Sequence, residues 1–154
     1  EGENGGDRPQ DFEEINLLQA GGNYGWPRAF GDNIGQFGGK NPLPGALAPW
    51  LTYQHFTAGS SCTCGPLYHA TRGKYDFPAE YRDGLFYGDY VRRWVRFAQV
   101  NPQTGSVVKT EPFATAFVGG PLAIEQGPDG ALYVAEYHGG TKDRISRIVY
   151  RGEK

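Results

Sequence analysis

The chain has 154 residues, a formal net charge of −2 at pH 7, 24 glycines, 11 prolines and no methionine. That length suits one domain with a modest core. The near-balanced charge gives no broad attraction to nucleic acid, and no run is long and apolar enough to span a bilayer. Aromatics mixed with turn formers, without long stretches of Ala, Leu, Glu and Lys, point to short strands joined by many turns.

Residues 1–11 are polar and glycine-rich and read as loop. EEINLL, residues 13–18, alternates as a short strand and runs into AGGNYGWP, residues 20–27, where glycines and a proline force a turn. Residues 28–48 are dense in glycine and proline and read as a long surface loop. LTYQHF at 51–56, CTCGPLYHA at 62–70, GLFYGDY at 84–90 and RRWVRFAQV at 92–100 follow as strand candidates. A single helical turn is expected near Pro78 to Arg82. NPQTG, residues 101–105, makes a hairpin turn into SVVKTEPF. LAIEQ, ALYVAEY and RISRIVY complete the chain.

An internal repeat organises the second half. DGLFYGDY from Asp83 lines up with DGALYVAEY from Asp129, and an Arg-x-x-Arg strand follows each copy, from Arg93 and from Arg144. The spacing is about one blade of roughly 40–50 residues, which predicts an all-β fold of repeating four-stranded antiparallel sheets, a partial β-propeller. Cys62 and Cys64, two apart on one strand face, are too close for an unstrained disulfide. Free thiols, or a soft-metal site with His55 or His69, are the alternatives. Asp83, Asp89 and Asp129 flank turns, where carboxylates cap backbone amides. Tyr87 and Trp94 read as packing residues, and Trp26 as the better candidate for a sugar-stacking surface.

Three segments carry a family resemblance: GENG with EEINLLQAGGNYGWP (2–5 and 13–27), CGPLYHATRGKYDFPAEYRDGLFYGDYVRRWVRF (64–97), and GPDGALYVAEY with RISRIVY (127–137 and 144–150). Together they resemble the C-terminal part of the glucose/sorbosone dehydrogenase family, the soluble quinoprotein sugar dehydrogenases. The resemblance implies that residues 1–154 are the C-terminal blades of a six-bladed propeller carrying pyrroloquinoline quinone (PQQ) and calcium. It places the family's catalytic histidine upstream of Glu1, so none of the residues here is expected to be catalytic. The N-terminal blades, or another chain supplying them, are then expected partners, together with a sugar or glycan and an external electron acceptor. A secreted or periplasmic location is implied in the same way.

Residue by residue, the loop matching Gly5 and Gly6 gives carbonyls to the calcium beside the quinone. Glu14 and the backbone at Tyr24 match ligands of a second, structural calcium, with Asp32 a further ligand at a different spacing. Calcium takes six or more oxygens and is served well by glycine-rich loops. The family has His-Gly-Pro where this chain has Asn4-Gly5-Gly6. Arg92 and Arg93 stand where the family places a basic pair on the cofactor, and His69 where it often has lysine. PQQ carries three carboxylates, which arginine can bind bidentately. Read from the residues alone, Glu14 sits on the polar face of a strand, and one of Arg93 and Arg96 faces solvent. The implied function is sugar oxidation by hydride transfer to the quinone in the complete protein. The rivals are a non-catalytic propeller binding glycan or protein, and a structural piece of a larger assembly.

Overall fold

The computed structural model describes residues 12–25, 29–30, 34–35, 39–42, 44–55, 59–140 and 142–150. Among them there are strands and a single 3-10 turn at Ala79–Tyr81, with no α-helix. The chain divides into two units, residues 1–62 and 63–154.

In the first unit, β1 (Phe12–Ile15) pairs antiparallel with a later strand, Leu51–Gln54, setting Glu13 opposite Tyr53 and Ile15 opposite Leu51. Ile15 and Leu51 are buried. The strand expected over 13–18 stops at Ile15, and Leu17 and Leu18 are exposed where the glycine turn begins. Residues 28–48 differ from the expected loop. They hold three short antiparallel strands, β2 (Ala29–Phe30), β3 (Ile34–Gly35) and β4 (Gly39–Pro42), so that Leu51–Gln54 is β5. Glycine and proline marked the turns there, while the ladder itself is main-chain pairing and leaves no apolar alternation to read.

The second unit contains two antiparallel sheets. The first runs β6 (Cys62–Leu67), β7 (Leu85–Asp89), β8 (Trp94–Val100) and β9 (Val107–Ala114) in that order. The turn between β8 and β9 closes as the sequence predicts: Asn101 Oδ1 accepts the N–H groups of Gln103 and Thr104, and Gly105 takes φ +70°. The second sheet runs β10 (Gly120–Gln126), β11 (Leu132–Tyr137) and β12 (Arg144–Ile148). The fold is thus all-β, and the stacked repeating sheets are those of a partial propeller.

The sheets meet through one apolar cluster. Phe86 and Phe97 face each other across β7 and β8, and Ile124, Leu132 and Val134 of the second sheet complete the buried set with Tyr68, Phe77 and Val95. Tyr68 ties the cluster to the loops. Its hydroxyl donates to the Gly130 carbonyl at 2.7 Å and accepts the Phe77 N–H at 2.7 Å. Burial holds this phenol above its ordinary pKa, so it stays protonated. Tyr68→Phe leaves the Phe77 N–H without its acceptor in an apolar site. A loss of about 2 kcal/mol is expected from urea denaturation.

Hydrogen bonds fix how the two repeats correspond. Tyr68 N–H donates to Gly84 O in one, and Gly127 N–H donates to Ala131 O in the other. Gly84 therefore answers to Ala131, the second copy holds one extra residue before it, and Asp89 answers to Glu136. On this register the two Arg-x-x-Arg motifs are not equivalent. Arg93 lies in the turn before β8 with φ +55°, whereas Arg144 is inside β12, opposite Glu136. The expectation of matching arginine strands is corrected: the motif recurs in sequence but is shifted against the ladders.

Candidate functional site

The candidate residues fall in both units. In the first, β1 alternates, so Glu13 is buried and Glu14 half-buried on the opposite face. Asn16, just beyond the strand, donates from Nδ2 to Glu14 Oε2 at 3.3 Å. Its Oδ1 is buried and has no hydrogen-bond partner. An amide oxygen left bare beside a carboxylate is a site for a donor or a cation, since a buried acceptor without one is costly. Tyr24 closes the same loop. Its hydroxyl donates to Leu17 O at 2.9 Å and accepts the Gln19 N–H at 2.6 Å, while Asn23 Oδ1 accepts the Gly25 N–H. The ring thereby fixes the backbone path through residues 17–24. Gly5, Gly6 and Asp32, and the aromatic Trp26, lie outside the described residues.

Behind Glu14, on the buried face, Glu13, which the sequence reading gave no role, is paired with His55, which it offered only as a soft-metal alternative. Glu13 Oε1 meets His55 Nε2 at 2.5 Å, and Glu13 Oε2 accepts the Cys62 N–H at 3.0 Å. An acid at a strand position whose neighbour Ile15 points into the core was the available signal. Cys62 and Cys64 are free thiols, as one of the sequence alternatives has it. Desolvation pushes the Cys64 thiol above its ordinary value, which disfavours the thiolate that soft metals need. Among the described residues no three His, Cys, Asp or Glu side chains group as a metal site. A cation beside Glu14 would accordingly take much of its shell from amide and main-chain oxygens, as calcium readily does.

In the second unit, Arg92 and Arg93 follow β7 on a tight turn that Asp89 organises. Asp89 is fully buried; its Oδ1 accepts the Arg92 N–H at 2.8 Å and its carbonyl accepts the Arg93 N–H at 2.9 Å. Asp89 caps backbone amides as its place beside a turn predicts, and Asp129 does the same for Ala131. Arg92 is half-buried and Arg93 exposed. Arg96, in β8, is half-buried and lies over the Trp94 ring at 5.3 Å. Tyr87 is buried, as its reading as a packing residue requires, and meets Trp94 edge to face. Two guanidinium-bearing residues side by side on a braced turn suit an anionic ligand with several carboxylates.

His69 sits just past β6, exposed. Its Nδ1 meets Asp83 Oδ1 at 2.9 Å, and its backbone N–H and C=O are both held by the Gln126 side chain. Asp83 thus orients an imidazole instead of capping a turn.

The Glucose / Sorbosone dehydrogenase family model matches residues 1–147. The chain belongs to that family. Solved structures agree with this. A glucose dehydrogenase superposes with a TM-score of 0.67 at 25% identity over 92% of this chain. A crystal structure of glucose dehydrogenase gives 0.66 at 23% over 90%. The soluble aldose sugar dehydrogenase from Escherichia coli, in its apo form, gives 0.59 at 27% over 84%. No match is found among curated proteins. The chain spans 36–38% of the length of these three solved structures. Among the described residues, no helix is long and apolar enough to cross a membrane.

Proposed function

We propose that residues 1–154 form the C-terminal portion of a PQQ- and calcium-dependent aldose dehydrogenase, working in a secreted or periplasmic setting. The observation that carries this reading is the match of the Glucose / Sorbosone dehydrogenase family model over residues 1–147. PQQ, when bound, supplies the acceptor for hydride from C1 of the sugar, and the electrons pass to an external acceptor. Arg92 and Arg93 would hold its carboxylates, with His69 at the edge of the same role. Asp89 keeps the arginine turn in place. Glu14, the bare Asn16 Oδ1 and the backbone at Tyr24 fit a structural calcium, with Asp32 a further ligand; Gly5 and Gly6 would serve the calcium beside the quinone.

Calcium added to the complete protein should raise its melting temperature, because a ligand bound only by the native state stabilises it by mass action. Glu14→Ala should reduce that rise to what the calcium beside the quinone contributes. An unchanged rise in the variant would remove Glu14 from the calcium site. With PQQ and calcium present, dye reduction should follow addition of aldoses. Silence with every aldose tried, in a protein that still binds calcium, would favour the second reading, a family propeller that binds glycan or protein without catalysis. The Asn4-Gly5-Gly6 sequence in place of His-Gly-Pro, and His69 in place of the lysine, are the features that favour it.

A further inference from the structure

The turn that carries Arg92 and Arg93 has an aromatic neighbour at the same end of the sheets. Tyr90, the residue after β7, stacks on Tyr137, the last residue of β11, with ring centroids 6.4 Å apart and planes 26° from parallel. Gly119 and Gly120 make room for the pair. A Cβ on Gly120 would collide with the Tyr90 ring, and one on Gly119 would stand 2.7 Å from the Tyr137 backbone. A carboxylate holds each flank: Asp89 accepts the Arg92 N–H on one side, and Glu136 accepts the Gly119 N–H on the other. The rings are thus placed by backbone before any ligand arrives. Tyr90 is half-buried, whereas Tyr137 is 46% exposed. Leu122, bulged out of the ladder between Pro121 and Ala123, adds exposed apolar surface two residues beyond Gly120.

We infer that Tyr137, backed by Tyr90, is the surface on which the ring of an aldose stacks. The inference rests on the dehydrogenase reading and names the substrate subsite within it. Hydride passes only between atoms in contact, so the sugar must lie directly beside the group that Arg92 and Arg93 hold. Tyr90 is two residues from Arg92 along the chain, and Tyr137 is the exposed ring stacked on it. Tyr90 takes one face of the Tyr137 ring, and the exposed surface of Tyr137 is what remains for a ligand. A pyranose has a face of C–H bonds, which the negative face of an aromatic ring attracts. It also has a rim of hydroxyls, which the phenol and guanidinium groups at the margin can meet. Ring and rim together fit a sugar better than a wholly apolar occupant.

Saturation-transfer NMR on the complete protein, with PQQ and calcium added, tests this with C1-deoxy-glucopyranose, a sugar that has no C1 hydroxyl to oxidise. Irradiating the protein's aromatic protons should carry saturation to the C–H protons of the sugar. The signal should be lost in Tyr137→Leu and kept in Tyr137→Phe, while PQQ affinity, read from the quinone absorbance, is the same throughout. With any aldose that is turned over, Tyr137→Leu should raise KM about fivefold at unchanged kcat, the scale of one lost ring contact. No transfer in the wild-type protein, or equal transfer in Tyr137→Leu, would overturn the inference. A loss of PQQ affinity in Tyr137→Leu would overturn it too, because the cofactor's own rings would then be the occupant. Transfer that depends on Tyr137 in a protein that binds no PQQ would uphold the stacking surface and sink the catalytic reading, so the two failures are separable.

Discussion

Phe86→Ala should destabilise the protein by about 4 kcal/mol, read as a shift of the urea midpoint at unchanged slope. The ring is fully buried and touches five others. Phe113 is the closest of them, edge-on with centroids 4.6 Å apart, and Phe97 is at 5.0 Å. Three of these rings, Tyr68, Phe77 and Tyr81, come from the segment running from the end of β6 through the 3-10 turn, and two, Phe97 and Phe113, from strands β8 and β9. None can move into the vacated volume without leaving another of its contacts, so the void persists and the cost lies toward the upper part of the usual range. A loss below about 1 kcal/mol would mean that the cluster collapses around the gap, and that the packing is looser than the described contacts require.

The strands of the second unit were legible because their apolar positions alternate and their turns carry strong signals. Leu132 and Val134 alternate inward along β11, and NPQTG closes the β8–β9 hairpin where expected. The three strands within residues 28–48 were not legible. Such short pieces are held by main-chain pairing, and periodicity has nothing to act on in Ile34–Gly35. The repeat was visible, but its register was not: one residue separates Gly130 from Leu132 where Gly84 is followed directly by Leu85. Only the Tyr68–Gly84 and Gly127–Ala131 hydrogen bonds reveal which residues correspond. The candidate site shows the same division. Arg92, Arg93 and His69 were reached through family likeness, while the groups that brace them, Asp89's carboxylate and Gln126's amide, come from the fold. Glu13 and Glu136 share one overlooked signal. Each is an acid at a position where the strand alternation calls for a core residue.

Glu136 gives the second large effect. The carboxylate is buried between the sheets' connections and accepts from the Val118 N–H at 2.8 Å, the Gly119 N–H at 3.2 Å, Arg144 Nε at 2.9 Å and the Ser146 hydroxyl. Burial alone would raise its pKa. The Arg144 and Ser146 side chains and the two backbone N–H groups outweigh that and hold it below the ordinary carboxylate value of 4.5. Glu136→Ala strands the Val118 and Gly119 donors just where the chain enters β10. A loss of about 3 kcal/mol at neutral pH is expected from urea denaturation. The sign of the pH dependence follows from the direction of the shift. A depressed pKa in the folded state means that the unfolded chain takes up the proton first, so this stabilisation is complete above 4.5 and declines as pH falls through the folded value. Asp76, which accepts from the Thr71 hydroxyl and is likewise held low, adds to the same acid limb. The comparison that isolates Glu136 is therefore wild type against Glu136→Gln, which keeps the shape and removes the titration. The stability gap between them should be widest near neutrality and narrow steadily below pH 4.5. A gap that stays constant to low pH would show that Glu136 titrates alike in the folded and unfolded chains, so that its ionisation contributes nothing to stability.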